Sequence, residues 1–448
     1  MWPRQRRSSH GARPALWLAV GAGVAGFAGA AGGWAAIAAS GESAGSASSA
    51  PIASGTAATG VVPRVPPSGA RRQRLDVQES ALRRILGRTL RRSGHASGAW
   101  VFDVSDRQVL FEARARIRRS LASNTKLFTA AAALRRLGPG TRLATVVVGD
   151  GELRPDRTFR GDLYLKGSGD PSLSRAGLRV LAQRLVAEHG IRRVTGRIVG
   201  DESAFDDRRG TRSSGYGVSR EIGASLSALA MRDVISDNPA AFAAARFHDA
   251  LEAQGVRIDA APRDGQAPVD ARPLARVDSP TVARLVRTTL KSSSSQHSEL
   301  LLKAVARARD GEGATRGGLR ATGVFARRLG ARPMLADGSG LSLDSRASPR
   351  SVGKLLLAMR GLPEFGAFHT ALPIAGRDGT LRKRMRGTAA HGRCQAKTGT
   401  RISVSALSGY CSTMSGDTVV FSLLTNKTDP IEAKRLEDRM AAAIARLG

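Results

Sequence analysis

The sequence predicts an α+β fold, in which an antiparallel sheet is flanked by helices and an inserted, β-rich region interrupts the domain. A pattern typical of a strand hairpin lies just before the first apolar helix, and three alternating strands lie near the C-terminus. Between residues of about 140 and 275, short strands alternate with amphipathic helices, which predicts the insertion. A chain of 448 residues is long enough for two or three domains with a large core.

The first forty residues have the pattern of a targeting segment. Four arginines precede residue 14, and no charged residue follows until Glu42. Ala15–Ala39 would span about 37 Å as a helix, which is enough to cross a bilayer. Ala36–Ala38 also provides a small-residue cleavage site. Residues 1–40 are therefore either a cleaved signal peptide or an uncleaved transmembrane anchor, and both alternatives predict that the remaining chain lies outside the cytoplasm.

Residues 41–75 are rich in Ser, Gly, Ala and Pro, which predicts a flexible linker without a core of its own. The linker contains a Gly-x-Ser-x-Gly sequence at Gly41–Gly45. A nucleophile elbow needs a strand before this sequence and a helix after it, and the linker provides neither. We therefore expect no site there, and folding is predicted to begin near Arg74.

Residues 76–140 are predicted to form the first part of the sheet domain. Apolar residues at helical spacing predict a helix over Val77–Leu90. Alternation predicts two strands of a hairpin at Gly98–Val104 and Gln108–Ala113. The apolar run that follows Ser123 predicts a buried helix.

Residues 141–275 are predicted to form the insertion, and residues 276–448 complete the sheet domain. In the insertion, the predicted strands are Thr145–Gly149, Asp162–Lys166 and Arg197–Gly200, and the predicted helices are Leu178–His189 and Pro239–Gln254. In the last part, the predicted helices are Thr281–Leu290, Gln296–Arg307, Thr315–Leu329, Ser351–Met359 and Ile431–Leu447. The predicted strands there are Arg393–Gly399, Val404–Cys411 and Thr418–Leu424, and a tight, glycine-rich loop is predicted at Asp337–Ser342.

The chain carries a formal net charge of +33 at pH 7, mostly from arginine, which stays protonated near neutral pH. Such a surface favours anionic partners such as nucleic acid, anionic lipid or acidic cell-wall polymers. A compositional bias that selects no partner explains the charge equally well. The sequence has no zinc-finger spacing and no RNP-like motif, so we expect no specific nucleic acid. It also lacks Cys-x-x-Cys and His-Glu-x-x-His patterns, so we expect no metal and no cofactor.

Ser123 and Lys126 form a Ser-x-x-Lys sequence at the start of the apolar helix. Residues three apart in a helix share one face, and the helix N-terminus brings backbone N–H groups near the hydroxyl. Serine is a weak nucleophile at neutral pH until a base activates it. A lysine becomes such a base when burial or a nearby cation lowers its pKa. A later Lys397-Thr398-Gly399 completes the signature of penicillin-binding proteins and serine β-lactamases.

In six stretches the chain resembles the low-molecular-weight, class C penicillin-binding proteins of the D-alanyl-D-alanine carboxypeptidase/endopeptidase type, peptidase family S13. The stretches are Ser123–Ala131, Leu163–Pro171, Asp337–Ser342, Leu372–Leu381, Ala396–Thr400 and Leu407–Tyr410. The resemblance implies a transpeptidase domain with the penicillin-binding-protein and serine β-lactamase fold. The sequence separation of Ser123 and Ser293 exceeds what a single-domain β-lactamase needs, which fits the domains that this family inserts there.

The resemblance implies a role for each matched residue. Ser123 is the nucleophile that attacks the carbonyl between two D-alanines, and Lys126 is the base for that step. Ser293, the middle-motif serine, helps to pass the proton to the leaving amine. The implied activity is that of a serine-type D-Ala-D-Ala carboxypeptidase or endopeptidase. It acts outside the cytoplasm on peptidoglycan stem peptides, and β-lactams are its covalent inhibitors.

The strand that carries Lys-Thr-Gly is expected to hold the substrate. The resemblance implies that Lys397 and Thr398 bind the terminal carboxylate of the substrate. The backbone N–H groups of Ser123 and Thr400 are the candidate oxyanion donors. Because Gly399 has no side chain, we expect substrate to lie against the strand there.

The middle motif departs from the family pattern, which is Ser-x-Asn, because this chain has Ser295 at the asparagine position. An asparagine amide donates to a substrate carbonyl and accepts from the lysine at once, whereas serine has a shorter reach and one donor. Gln296 carries an amide one position further, but a helix would direct it elsewhere. The change either lowers turnover or is compensated by a water. A catalytically impaired, peptidoglycan-binding homologue is therefore an alternative to an active peptidase.

Three other questions stay open. If the Lys397 strand pairs with the next strand through a turn near residues 402–403, Cys394 and Cys411 lie opposite each other, as a cross-strand disulfide or as two buried thiols. A serine β-lactamase is a second enzyme alternative, although the chain has no Glu-x-x-Leu-Asn-like element for fast deacylation. An anion or nucleic-acid binder would lose binding as salt rises and would not need Ser123.

Overall fold

The structure is a computed structural model that describes residues 69–448. The predicted targeting segment, residues 1–40, and most of the predicted linker lie outside the described residues. Among the helices that lie between residues 69 and 448, none has the length and apolar character needed to cross a membrane.

Runs of strands and runs of helices follow one another along the described residues, as expected for an α+β fold. The helices are α1 (Gly69–Arg92), α2 (Thr125–Leu137), α3 (Arg175–His189), α4 (Pro239–Glu252), α5 (Val282–Lys291), α6 (Ser295–Asp310), α7 (Thr315–Arg328), α8 (Pro349–Met359), α9 (Phe365–Thr370) and α10 (Pro430–Ala445). The strands are β1 (Gly98–Asp103), β2 (Gln108–Ala113), β3 (Arg119–Ser120), β4 (Arg142–Gly149), β5 (Glu152–Leu153), β6 (Thr158–Arg160), β7 (Leu163–Lys166), β8 (Arg193–Val194), β9 (Ile198–Asp201), β10 (Arg257–Ile258), β11 (Arg263–Asp264), β12 (Arg272–Thr281), β13 (Arg346–Ala347), β14 (Cys394–Arg401), β15 (Val404–Ser412) and β16 (Thr418–Asn426). The predicted α+β fold class is confirmed.

The sheet that positions the site has five strands in the order β14-β15-β16-β1-β2, and all neighbours are antiparallel. The predicted N-terminal hairpin and the three predicted C-terminal strands thus form one sheet, because β1 pairs with β16. The strand β14, which carries the Lys-Thr-Gly motif, lies at the edge of this sheet. The outer side of β14 forms a bridge with Ile374 at Gln395, and Thr398 and Thr400 further along the strand line a cleft.

Each face of this sheet packs against its own layer of helices, because successive side chains of a strand point to opposite faces. On one face, a core joins the sheet to α1 and α10 through Leu82, Val101, Leu407, Phe421 and Met440. On the other face, a core joins it to α2, α5 and α8 through Trp100, Phe128, Leu285, Leu355, Ala406 and Val420. The predicted arrangement of helices around an antiparallel sheet is confirmed.

Two more sheets lie within residues 142–281. One has the order β11-β9-β7-β4-β12 with both parallel and antiparallel neighbours, and the other has the order β10-β8-β6-β5. Helices α3 and α4 pack on these strands around a core that includes Leu181, Phe247 and Ile198. The predicted strands and helices of this region occur close to their predicted positions.

Two helix starts differ from the prediction in ways that bear on the linker and on the site. Helix α1 begins at Gly69 rather than at Val77, so it includes the last part of the predicted linker. The arginines and glutamine after Gly69 are good helix formers, and no breaker follows them. Ser123 does not open the α-helix itself: Ala122–Asn124 form a 3-10 turn, and α2 begins at Thr125. Tight turns of this kind often precede α-helices.

The two cysteines lie opposite each other across β14 and β15, which are joined by a turn at residues 402–403. Cys394 and Cys411 form a disulfide, and both side chains are buried. Of the two alternatives that the sequence left open, the structure therefore contains the bridge. It ties the strand of Lys397 to its neighbour.

Replacing both cysteines with alanine should lower the free energy of unfolding by about 2–4 kcal/mol, because the bridge no longer restricts the unfolded chain. Equilibrium unfolding in urea measures the change. A reductant provides the control: it should lower the stability of the wild type to that of the variant and leave the variant unchanged. A wild type that is equally stable with and without reductant would contradict the bridge.

Candidate active site

Ser123 is held between a glycine-rich loop, residues 337–342, and the edge strand β14. Gly340 lies so close to the 3-10 turn that a Cβ would fall 1.8 Å from the carbonyl oxygen of Ala122. On the other side of the turn, Asn124 Nδ2 donates to the carbonyl oxygen of Lys397 at 3.2 Å. These two contacts fix the backbone that carries the hydroxyl.

The side chain of Lys126 is completely buried beneath Ser123. Its Nζ donates to the carbonyl oxygen of Ser339 at 2.6 Å, to Ser123 Oγ at 3.0 Å and to Ser295 Oγ at 3.4 Å. Burial lowers the pKa of Lys126 to about 8, because the charged amine loses its hydration. The amine is therefore placed and tuned to take a proton from the Ser123 hydroxyl.

Two buried carboxylates lie behind this lysine. Asp337 accepts a hydrogen bond from the N–H of Gly340 at 2.9 Å, and Glu299 accepts from the N–H of Gly338 at 3.0 and 3.1 Å. The negative charges of Asp337 and Glu299 oppose the effect of burial on the pKa of Lys126. Burial and the charge of Asp337 in turn raise the pKa of Glu299. The site thus contains a buried network in which the charge of Lys126 lies close to the opposite charges of Asp337 and Glu299.

The middle motif lies in the short connection between α5 and α6, where Ser293 has a φ of 60°. Ser294 caps α6, since its hydroxyl accepts from the N–H of His297 at 3.3 Å. Lys397 Nζ donates to Ser293 Oγ at 3.0 Å and to the carbonyl oxygen of Thr398 at 2.8 Å. Burial and the nearby charge of Lys126 lower the pKa of Lys397 well below its usual value. The two motifs are therefore joined by a direct hydrogen bond.

A cleft of about 320 Å³ opens in front of these groups. It is lined by Ser123, Ser293, Thr380, Arg384, Thr398, Thr400 and Lys434. Four of the predicted site residues are thus in the wall, while the two motif lysines lie buried behind it. The hydroxyls of Thr380 and Thr398 are hydrogen-bonded to each other at 2.7 Å.

The structure explains the glycine at position 399 differently from the sequence-based prediction. A Cβ at this position would fall 2.8 Å from the carbonyl oxygen of Leu121 and 3.2 Å from the Cβ of Ala122. The space beside Gly399 is therefore filled by the segment that carries the nucleophile, not left for substrate. The glycine allows β14 to approach that segment.

Sequence reasoning gave no role to five residues of this site. Asp337 and Thr380 lie in stretches that resemble the family, and Glu299 follows the middle motif closely, so each had a local signal. Arg384 and Lys434 had none, because they come from a loop and an amphipathic helix far along the chain. Among the described residues, no group of three or more His, Cys, Asp and Glu side chains is placed to hold a metal ion.

Residues 80–216 and 224–447 match the D-Ala-D-Ala carboxypeptidase 3 (S13) family. The chain belongs to this family. The resemblance inferred from the six stretches is confirmed, and with it the enzyme class, a serine-type D-Ala-D-Ala carboxypeptidase that acts through an acyl-enzyme.

Curated relatives match most of the chain. The D-alanyl-D-alanine carboxypeptidase of Actinomadura sp. (strain R39) is 30% identical, and the match covers 79% of this chain and 81% of the relative. Carboxypeptidase DacB of Mycolicibacterium smegmatis is 28% identical, and the match covers 76% of this chain and 78% of the relative. Among solved structures, penicillin binding protein 4 (dacB) from Haemophilus influenzae has the same fold, with a TM-score of 0.69 and 20% identity over 82% of this chain and 99% of that chain.

If Lys126 is the base for Ser123, the rate of acylation by a penicillin should rise with pH, because only the neutral amine can accept the proton. Below the Lys126 pKa of about 8, the neutral fraction falls about ten-fold per pH unit. Stopped-flow acylation rates between pH 6 and about 9.5 measure this rising limb of the pH–rate profile. A rate that falls as pH rises through 8 would exclude a lysine base.

The Arg401→Gln variant should move this limb to higher pH, because the positive charge of Arg401 lowers the pKa of Lys126. Glu221→Gln is the matched control, since Glu221 pairs with Arg401 at 3.0 Å and its removal keeps the arginine charge. The control should keep the limb at the wild-type pH. An unchanged limb in Arg401→Gln would show that this charge does not reach the base.

Proposed function

We propose that Ser123 of this protein is the residue acylated by peptidoglycan stem peptides, at the carbonyl between two D-alanines. The observation that carries the proposal is the contact of 3.0 Å between Lys126 Nζ and Ser123 Oγ, with the lysine fully buried. Ser123 Oγ forms an ester bond to the carbonyl carbon while its proton passes to Lys126. The C–N bond then breaks, and the terminal D-alanine leaves as an amine. Water hydrolyses the ester and restores Ser123.

The leaving amine needs a proton, and Ser293 is the proposed donor. Its hydroxyl faces the cleft and accepts from Lys397 at 3.0 Å. In the proposed path, this hydroxyl relays to the amine the proton that Lys126 took from Ser123, so Lys126 is neutral again when water attacks the ester. The oxyanion of the intermediate is proposed to accept from the N–H groups of Ser123 and Thr400. The edge position of β14 supports this, because a bound peptide would add to the sheet as a further strand.

The protein is proposed to be active although Ser295 replaces the asparagine of the family motif. Ser295 Oγ lies 3.4 Å from Lys126 Nζ, so the hydroxyl takes up the lysine contact that the amide would make. Lys126 has two shorter partners, the carbonyl oxygen of Ser339 and Ser123 Oγ, which hold it in place. The remaining loss is the donor toward substrate, which a water is proposed to replace.

A serine β-lactamase is the second candidate for this site, and the cleft argues against it. The residues that line the cleft within the described chain are serines, threonines and cations, with no Asp or Glu among them. Fast deacylation needs a base that activates water next to the ester. We therefore expect β-lactams to act as lasting covalent inhibitors.

The surroundings of the enzyme are proposed to follow from its substrate. Because peptidoglycan lies outside the cytoplasm, residues 1–40 would export the chain, either as a cleaved signal or as an anchor in the membrane. Residues 41–75 would then act as a linker, and residues 141–275 as an insertion that divides the peptidase domain into residues 76–140 and 276–448. Carboxypeptidase and endopeptidase action both use the same acyl-enzyme.

Incubation with a labelled penicillin should give a covalent adduct on Ser123 that persists after free drug is removed. Mass spectrometry of the intact protein and of its peptides measures the adduct, and Ser123→Ala should give none. A rapidly lost adduct would indicate a β-lactamase. No adduct at any concentration would overturn the proposal in favour of an impaired, peptidoglycan-binding homologue.

The Ser295→Asn variant should raise kcat/KM on a D-Ala-D-Ala peptide by about ten-fold, because the amide adds a donor toward substrate and keeps the lysine contact. Ser295→Ala is the matched control and should lower kcat/KM, since the hydroxyl contact with Lys126 is lost and no donor toward substrate is gained. Steady-state release of D-alanine measures both. Equal rates in all three proteins would mean that position 295 takes no part in the reaction.

A further inference from the structure

Two cations at the wall of the cleft come from segments outside the three sequence motifs. Arg384 follows the short 3-10 helix Gly379–Leu381, and Lys434 lies in the first half of α10. Both line the same cleft as Ser123. A substrate with a free terminal carboxylate brings one negative charge into this cleft, so the question is which cation receives it.

Arg384 is already neutralised by its own neighbours. Its guanidinium lies 3.1 Å from a carboxylate oxygen of Glu437 and 2.8 Å from one of Asp438, and 14% of its side chain is exposed. It also donates to the backbone carbonyl of Lys434 at 3.2 Å. These bonds tie the loop to one turn of α10. Arg384 therefore positions the turn that carries Lys434 rather than offering a free charge.

Lys397 is also engaged. Its amine is fully buried and donates to Ser293 and to the carbonyl oxygen of Thr398. Lys434 is different, because its side chain is half-buried and its Nζ has no hydrogen bond or ion pair within residues 69–448. Of the cations that border the cleft, Lys434 is thus the one whose charge the described chain leaves unpaired.

We propose that Lys434 binds the carboxylate of the leaving residue of the substrate, beside the hydroxyls of Thr398 and Thr400. This inference rests on the proposed acyl-enzyme of Ser123 and adds the residue that selects the leaving group by its free carboxylate next to the attacked amide. Charge-assisted hydrogen bonds of an ammonium to a carboxylate are stronger than neutral ones. Partial burial of Lys434 strengthens the attraction further, because less water screens it.

The inference predicts selection between substrates that differ only in charge. Peptides that end in a free D-Ala-D-Ala should be hydrolysed faster than the same peptides with a terminal amide. A diamino acid would also be accepted as the leaving group, provided that the nitrogen released by the reaction is attached to the carbon that bears a free carboxylate. A leaving amine without a carboxylate should be a poor substrate.

The test compares Lys434→Met, which removes the charge at similar volume, with Lys434→Arg, which keeps it. Each full-length protein is assayed with a D-Ala-D-Ala peptide that ends in a free carboxylate and with the same peptide that ends in an amide. If hydrolysis of the peptide bond is slow, the same pair is used with a thioester in place of that bond. Lys434→Met should lower kcat/KM for the free acid by about ten-fold or more, mainly through KM, and should leave the amide unchanged. Lys434→Arg should keep most of the preference for the acid. Arg435→Met, which removes a neighbouring exposed charge on α10, should keep all of it.

A second measurement separates this inference from the proposed reaction. Calorimetry on Ser123→Ala and on Ser123→Ala with Lys434→Met gives the affinity for both peptides without any turnover. A loss of affinity confined to the free acid in the double variant supports the inference, even if the acyl-enzyme proposal fails. Equal losses for acid and amide, or no loss for either, overturn it, and a penicillin adduct on Ser123 would then still support the reaction.

Discussion

The site depends on one constraint, the complete burial of an amine beside the nucleophile. An ammonium taken out of water loses several kcal/mol of hydration free energy. Either neighbouring groups replace this free energy, or the amine loses its proton and becomes neutral. Lys126 has one carbonyl and two hydroxyl partners, together with two carboxylates further back. These groups stabilise the charged amine, while burial favours the neutral amine. A second buried amine, Lys397, opposes double charging of the pair. The result is an amine that exchanges its proton near neutral pH.

The loop at residues 337–342 fixes the relative positions of the groups in this arrangement. The carbonyl oxygen of Gly338 accepts from Thr129 of α2 and from Ser298 of α6, both at 2.7 Å. The next carbonyl, that of Ser339, faces Lys126, and Gly340 packs on the turn that carries Ser123. Because one loop contacts both helices and the turn, the serine, the lysine and the middle motif are held relative to each other by backbone atoms. Side chains alone would leave the spacing less well defined.

Local patterns predicted the parts of the structure that local physics decides. Alternation identified the strands of the main sheet, and the three-residue spacing placed Ser123 and Lys126 together, because neighbours along a helix need no tertiary information. The resemblance supplied Ser293 and Lys397, which distant segments bring together. The orientation of Lys397 toward Ser293, the packing at Gly399 and the presence of Lys434 in the cleft depend on how strands and helices meet. No spacing in the sequence encodes these contacts.

The charge of the whole chain and the charge of the cleft have different explanations. A net charge of +33 arises mostly from arginines spread over the chain, so it is a property of the whole surface and not of the cleft. The cleft, by contrast, is lined by hydroxyls and two cations, and its carboxylate neighbours lie behind the wall. In the proposed reaction, no carboxylate lines the cleft to activate the hydrolytic water, so Lys126 must serve as the base in both acylation and deacylation. The proposed reaction therefore uses a single buried amine in both half-reactions, and the rate of the second depends on how readily water reaches that amine.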